Sequence, residues 1–188
     1  MTHDELRIRY WRAWLPDADY YFSALQNLPY WKQENIRIFG KAILTPRLTA
    51  FVGDEGCTYR YSGLINRPQE WTNELLSIKN AVEDLTETQY NVVLANYYRT
   101  GQDSMSWHSD DEPELGINPI IASVNLGGSR IMQFRTQKDK KKVAEITLHH
   151  GDVLLMYDNH QHLFQHQIPK TTKLCLPRMN LTFRKIRI

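Results

Sequence analysis

Arg178-Met179-Asn180-Leu181-Thr182-Phe183-Arg184 is the segment on which the reading of this chain turns. Successive side chains of an extended strand point to opposite faces. Arg178, Asn180, Thr182 and Arg184 then line one face, while Met179, Leu181 and Phe183, continued by Ile186, line the other. If the greasy face packs on a core, the polar row meets either solvent, at the edge of a sheet, or the protein interior. Two guanidiniums on an inward row are costly to bury unpaired. A dicarboxylate would remove that cost, because arginine grips a carboxylate with two parallel hydrogen bonds.

The same two-residue period runs upstream from Tyr90. It predicts strands at Val92–Tyr98, Met105–His108, Ile120–Leu126, Ile131–Arg135, Val143–Leu148, Val153–Tyr157 and Leu163–Ile168, before a last one at Met179–Ile188. Thr100-Gly101, Gly127-Gly128, Gly151-Asp152, Asp158-Asn159 and Pro169 punctuate them. About eight short strands at this spacing predict a sandwich or barrel, with a jelly roll among the candidates. The first half reads differently. Asp17 is placed to cap a helix carrying Tyr21, Leu25 and Leu28 on one face. Trp71, Leu75, Ile78, Val82 and Leu85 follow helical spacing, predicting a second amphipathic helix. Both are expected to back one sheet. Between them, Ile36, Ile38, Ala42 and Leu44 flank Gly40, which suggests a hairpin with Phe39 at or beside its tip. The expected fold class is mainly β with N-terminal helices. One domain over residues 1–188 is expected, with helices and hairpins to about residue 89 and the β core after it.

Composition narrows the setting. The 188 residues carry 41% hydrophobic and 23% charged side chains and a formal net charge of +2, ordinary for a globular protein. No apolar run reaches bilayer length and no signal peptide is evident, so no membrane association is expected. Two cysteines, Cys57 and Cys175, fit a reducing compartment, cytoplasmic or, in a eukaryote, nuclear. Nothing in the sequence asks for more than a monomer. The basic residues are clustered, in Lys138, Lys140, Lys141 and Lys142 and again in Arg178, Arg184, Lys185 and Arg187.

His108-Ser109-Asp110 brings an imidazole and a carboxylate to one face of a strand. A third ligand from a distant strand would complete a facial triad of two histidines and a carboxylate, leaving positions open for O₂ and a co-substrate. His149, His150, His160, His162 and His166 all lie downstream; His166, inside a strand-like segment, is preferred over His162 on local grounds. Asn96 and Tyr98 share a face just upstream and are natural hydrogen-bond donors to the same ligand.

Asn96-x-Tyr98, His108-x-Asp110, Gly151-Asp152-Val153, Leu163-Phe164-x-His166 and Arg178-x-Asn180-Leu181-Thr182-Phe183-Arg184 occur in that order. Together they resemble the AlkB family of Fe(II)/2-oxoglutarate dioxygenases. Phe39-Gly40-Lys41, Tyr59-Arg60-Tyr61-Ser62-Gly63-Leu64 and His108 to Glu112 look most like its eukaryotic-type branch that repairs duplex DNA. The resemblance implies a double-stranded β-helix, the jelly roll already among the candidates. It implies Fe(II) held by His108, Asp110 and His166, with 2-oxoglutarate and O₂ as co-substrates. Asn96, Tyr98, Arg178, Asn180, Thr182 and Arg184 match the 2-oxoglutarate pocket, with Arg184 expected at the iron-chelating end and Arg178 at the far carboxylate. Tyr59, Tyr61, Asp111 and Glu112 match positions that hold the damaged base, with Arg60 beside them among the expected substrate-binding residues. Phe39, next to Gly40 at the hairpin tip, is the candidate to fill the vacated stack. Lys41 and Arg47 are candidate contacts to flanking phosphates, and Lys138, Lys140, Lys141 and Lys142 are candidates to clamp the undamaged strand. The implied activity is oxidative demethylation of N-alkylated bases in DNA, such as 1-methyladenine and 3-methylcytosine, releasing formaldehyde and succinate. The same chemistry on RNA or single-stranded DNA, and a non-catalytic nucleic-acid-binding module, are the alternatives. The segment Met1–Leu15 matches nothing in the family pattern.

Overall fold

The computed structural model describes residues 1–38, 41–61 and 64–187, with the backbone alone at 36–38, 41–43, 59–61 and 64–66. Fourteen strands are found among the described residues: β1 (Ile8–Trp11), β2 (Asn35–Ile38), β3 (Lys41–Leu44), β4 (Leu48–Gly53), β5 (Tyr59–Tyr61), β6 (Leu64–Asn66), β7 (Val92–Tyr98), β8 (Met105–His108), β9 (Ile121–Gly127), β10 (Arg130–Thr136), β11 (Lys142–Leu148), β12 (Val153–Met156), β13 (Phe164–Ile168) and β14 (Arg178–Arg184). Helices α1 (Ala18–Gln26), α2 (Asn73–Thr86) and α3 (His160–Leu163) accompany them.

The segment Arg178–Arg184 does not form an edge. In the six-stranded antiparallel sheet β1-β12-β9-β14-β7-β4, β14 lies between β9 and β7. The facing sheet has the order β11-β10-β13-β8. The eight expected strands thus divide four and four, a jelly roll, while β1 and β4 extend the larger sheet at its two edges.

The two-residue period sorts the side chains of β14 into two cores. Met179, Leu181 and Phe183 join Val93, Ala95, Ala122 and Val124 under the helices, where Leu25, Leu75, Ile78 and Val82 cover them. Burying each large aliphatic side chain contributes about 1.5–3 kcal/mol, which is why the apolar stripe of α2 fixes it on this face. Between the sheets lies a second core of Leu94, Ile121, Phe134, Leu154 and Phe164. Ile186 packs there too, because the strand stops at Arg184 and the chain no longer alternates with it.

Helix boundaries have identifiable causes. The Thr72 hydroxyl caps α2 by accepting from Leu75 N at 3.3 Å, and Trp71 precedes the helix, its indole donating to Asp54 at 2.8 Å. Asp17 does precede α1, but it is left-handed (φ 51°) and makes no side-chain capping bond. The expected hairpin is present as β2 and β3, paired from Asn35↔Leu44 to Ile38↔Lys41. Phe39 and Gly40 lie outside the described residues.

The N-terminal segment has a role that no motif announced. Its strand β1 pairs with β12 from Ile8↔Met156 to Trp11↔Val153. The Tyr10 hydroxyl donates to Asp152, whose carboxylate also accepts from Ala13 N at 2.8 Å and His149 N at 2.7 Å. Asp152 is itself buried, so its carboxylate takes these bonds largely out of water. No helix among the described residues is long and apolar enough to cross a membrane. Asp152→Ala removes the acceptor of three part-buried donors and should cost about 1–3 kcal/mol in urea unfolding, with β1 losing amide-exchange protection before the rest of the sheet.

Candidate active site

Strand pairing alone brings the two histidines together. His166 of β13 stands opposite His108 of β8, and their ring centroids are 4.2 Å apart. Asp110 follows in a loop held by three bonds: Asp110 N donates to Gln161 Oε1 (3.0 Å), Ser109 Oγ to the Phe164 carbonyl (2.9 Å), and Gln137 Nε2 to Ser109 Oγ (2.8 Å). One ligand atom from each of His108, Asp110 and His166 lies within 4.8 Å of the others, and among the described residues this is the one such group. The competing histidines are engaged elsewhere. His160 meets the Leu6 carbonyl through Nδ1, the His162 ring meets the Ile117 carbonyl, His149 meets Ser129, and His150 accepts from Gly127 N.

The protonation states suit metal ligation. The Ser106 carbonyl, 2.8 Å from His108 Nδ1, makes that nitrogen the donor and leaves the Nε2 lone pair toward Asp110, 3.9 Å away. Burial pushes His108 below its ordinary value, and burial with the neighbouring His108 pushes His166 well below it. Burial would raise Asp110, but the charges of Arg184, His108 and His166 outweigh it and hold the carboxyl at about 2. Arg184 Nη2 donates to Asp110 Oδ1 at 2.7 Å. The other carboxylate oxygen and His166 Nδ1 are buried with no hydrogen-bond partner.

Asn96, Tyr98, Asn180, Thr182 and Arg184 line one cavity with the three ligands. Their side chains differ in what they leave free. Asn180 donates to Ser123 Oγ (2.7 Å) and the Val124 carbonyl (3.2 Å), and Thr182 donates to Asn180 Oδ1 (3.2 Å). Arg178 lies behind Tyr98, its guanidinium carbon 5.0 Å from the ring centroid. It has no exposed surface, and among the described residues no hydrogen bond within normal geometry reaches its Nε or Nη1. Burial lowers it to about 10, so it remains a cation at neutral pH.

Arg47, read from sequence as a phosphate contact, is buried instead. Its Nε donates to Asn96 Oδ1 at 2.6 Å and its Nη1 to the Ser104 carbonyl at 3.3 Å, which turns the Asn96 amide. A cation following Pro46 looks like a surface residue, and nothing local signals otherwise. On the nucleotide side, Lys41 falls on β3 and Tyr59, Arg60 and Tyr61 on β5, with side chains outside the described set. Asp111 is exposed and Glu112 partly buried at the start of a 3₁₀ turn, Pro113–Leu115. Lys138, Lys140, Lys141 and Lys142 ring the exposed turn between β10 and β11.

The family model described as the 2OG-Fe(II) oxygenase superfamily matches residues 10–184. The chain belongs to that superfamily. Its relatives place it in the AlkB branch. It is 37% identical to bovine alpha-ketoglutarate-dependent dioxygenase alkB homolog 3 over 92% of its own length and 63% of that protein. It is 38% identical to human DNA oxidative demethylase ALKBH2 over 80% of itself and 60% of the relative, and 32% identical to the Arabidopsis thaliana ALKBH2 over 88% and 61%. This oxygenase chain thus spans about three-fifths of the relatives it matches. The solved structure of OsALKBH1 shares the fold, with a TM-score of 0.68 at 18% identity, covering 95% of this chain and 98% of that one.

Members of the superfamily use Fe(II) and 2-oxoglutarate. The donor set here fits both groups: two neutral imidazoles and an ionised carboxylate with unpartnered buried atoms for the metal, and a buried guanidinium with two idle donors for an anion. Because the histidines lie below their ordinary value and the carboxylate near 2, all three ligands are deprotonated from about pH 6.5 upward. Anaerobic Fe(II) titrations should therefore give affinities flat within about twofold between pH 6.5 and 8. His166→Ala should abolish tight binding and His162→Ala should preserve it.

Proposed function

We propose that this protein is an oxidative demethylase that repairs N-alkylated bases in DNA, 1-methyladenine and 3-methylcytosine being the representative lesions. The observation that carries the reading is the wholly buried Arg178 against the ring of Tyr98, which lines one cavity with a two-histidine, one-carboxylate group. His108, Asp110 and His166 would hold Fe(II), and Arg178 would receive the far carboxylate of 2-oxoglutarate. When bound, the metal with 2-oxoglutarate and O₂ supplies the oxidation of the N-alkyl carbon. The residues of the chain do the rest. Arg184 keeps Asp110 ionised, Tyr98 and Asn96 wall the co-substrate, and the inter-sheet core excludes water from the reacting carbon. The hydroxylated carbon on nitrogen then leaves as formaldehyde, restoring the base.

Both representative lesions are cationic, and Asp111 or Glu112, next along the chain from the ligand Asp110, would favour a cationic base over a neutral one. Duplex DNA is the proposed substrate form. Reaching a base inside it requires extrusion, costing a few kcal/mol and least for a lesion that cannot pair. Phe39 would fill the vacated stack, with the exposed lysines between β10 and β11 against the backbone.

With Fe(II) and 2-oxoglutarate, oligonucleotides carrying 3-methylcytosine should yield equimolar succinate and formaldehyde; no product from any methylated strand would overturn the proposal. Arg178→Ala should raise the KM for 2-oxoglutarate about 100-fold or more, from loss of a buried charge pair. Phe39→Ala should reduce turnover of duplex substrate at least about tenfold more than turnover of single strands, as expected if the side chain replaces lost stacking. Equal losses on the two would remove the duplex assignment.

A further inference from the structure

Asn125 carries no family motif, yet it holds Arg178, whose guanidinium lies against the cavity-lining Tyr98. On β9 it pairs with Asn180 of β14, and the alternation places it with Ser123 on the inward face. It is 1% exposed, its Oδ1 accepts from Arg178 Nη2, and its Nδ2 is buried with no hydrogen-bond partner among the described residues. Two side chains bonded to each other thus hold three idle nitrogens: Asn125 Nδ2, Arg178 Nε and Arg178 Nη1.

The surroundings do not neutralise the pair. A second buried guanidinium, Arg130, stacks on the same Tyr98 ring, its carbon 5.6 Å from the centroid. Its donors go to the carbonyls of Thr100, Asp103 and Pro169, so it adds positive charge and no counter-ion. A buried donor without a partner costs about 1–3 kcal/mol, and more on a charged group. One carboxylate, acceptor-only and with room for about four hydrogen bonds, would satisfy Asn125 Nδ2 together with one edge of the guanidinium.

We propose that Asn125 is a binding residue for the far carboxylate of the co-substrate: its Oδ1 orients the Arg178 fork, and its Nδ2 donates to the same carboxylate. The inference rests on the 2-oxoglutarate reading given above. The amide is the informative choice. A carboxylate at this position would neutralise Arg178 from within the protein and repel a dianion, whereas the amide steers the guanidinium and leaves its charge for the ligand.

The test is anaerobic titration of the Fe(II)-loaded protein, followed by charge-transfer absorption, with 2-oxoglutarate and with 2-oxopentanoate. The second ligand has the same keto-acid end and lacks the far carboxylate. The unaltered protein should prefer 2-oxoglutarate by about 100-fold or more. Asn125→Asp should weaken 2-oxoglutarate about 10–100-fold, the worth of a charge-assisted bond lost and a repulsion gained, while 2-oxopentanoate changes by less than about threefold. Unchanged 2-oxoglutarate affinity would overturn the assignment, as would equal weakening of both ligands, which would make Asn125 a packing residue. If Asn125→Asp fails to fold, Asn125→Leu, similar in size but lacking both amide ends, must show the same selective loss. Failure of the unaltered protein to bind 2-oxoglutarate would instead remove the underlying co-substrate reading.

Discussion

A guanidinium with no exposed surface and no anion of its own sits in the middle of the larger sheet, and the site is organised around that constraint. Burial pushes Arg178 down only to about 10, so the charge persists at neutral pH. The ring of Tyr98 and the carbonyl oxygen of Asn125 offset part of its desolvation, and neither removes the net charge. An isolated buried charge is far more expensive than such contacts return. The apolar packing of the strand must therefore offset part of that cost. That packing comes from the opposite face of the same strand, where Met179, Leu181 and Phe183 are sealed under α1 and α2. One period-2 segment thus anchors the sheet on one side and creates the demand for an anion on the other.

The period explains why the β core could be read from sequence. Side chains of a strand point alternately to its two faces, and β7 and β8 fall on the very residues predicted for them, while β14 is displaced only at its ends. The metal group was legible for a related reason: His108 and Asp110 are close in sequence, and strand pairing supplies His166. What was not legible depends on partners distant in sequence. β1 is a strand because β12 presents an open edge, and only pairing shows this. Arg47 owes its burial to Asn96 and the Ser104 carbonyl. Asn125 was visible as a polar residue between Val124 and Leu126, but one amide in a strand has no distinguishing motif. Asp17 shows the limit of local rules: a good capping residue is left without a capping bond when the entering chain holds it left-handed.

The loop bearing Asp110 depends on the distal histidine strand. Gln161 holds the Asp110 backbone, and Ser109 holds the Phe164 carbonyl two residues before His166. Gln161 also donates to Met156 Sδ at 3.6 Å, and Met156 ends the strand that β1 covers. The N-terminal segment therefore reaches the ligand loop through an unbroken series of contacts, with Leu6 bonded to His160 from the other side. Its placement in the larger sheet makes it a support of the site.

Arg178 and Arg184 stand six residues apart on one face of β14, about 20 Å of strand, and long side chains lean along the strand. Their environments divide the labour. Arg184 is bound to Asp110, so its charge keeps a ligand carboxylate ionised and occupies one of its oxygens, leaving Oδ2 for a metal. Arg178 has no acid to hold, so its charge is left for something that enters. A monocarboxylic keto acid would engage the first end only and leave the second cation buried and unmatched. A dicarboxylate of suitable length would satisfy both, so on the proposed reading selectivity for a diacid would follow from where one strand places two arginines and from which of them has been given a partner.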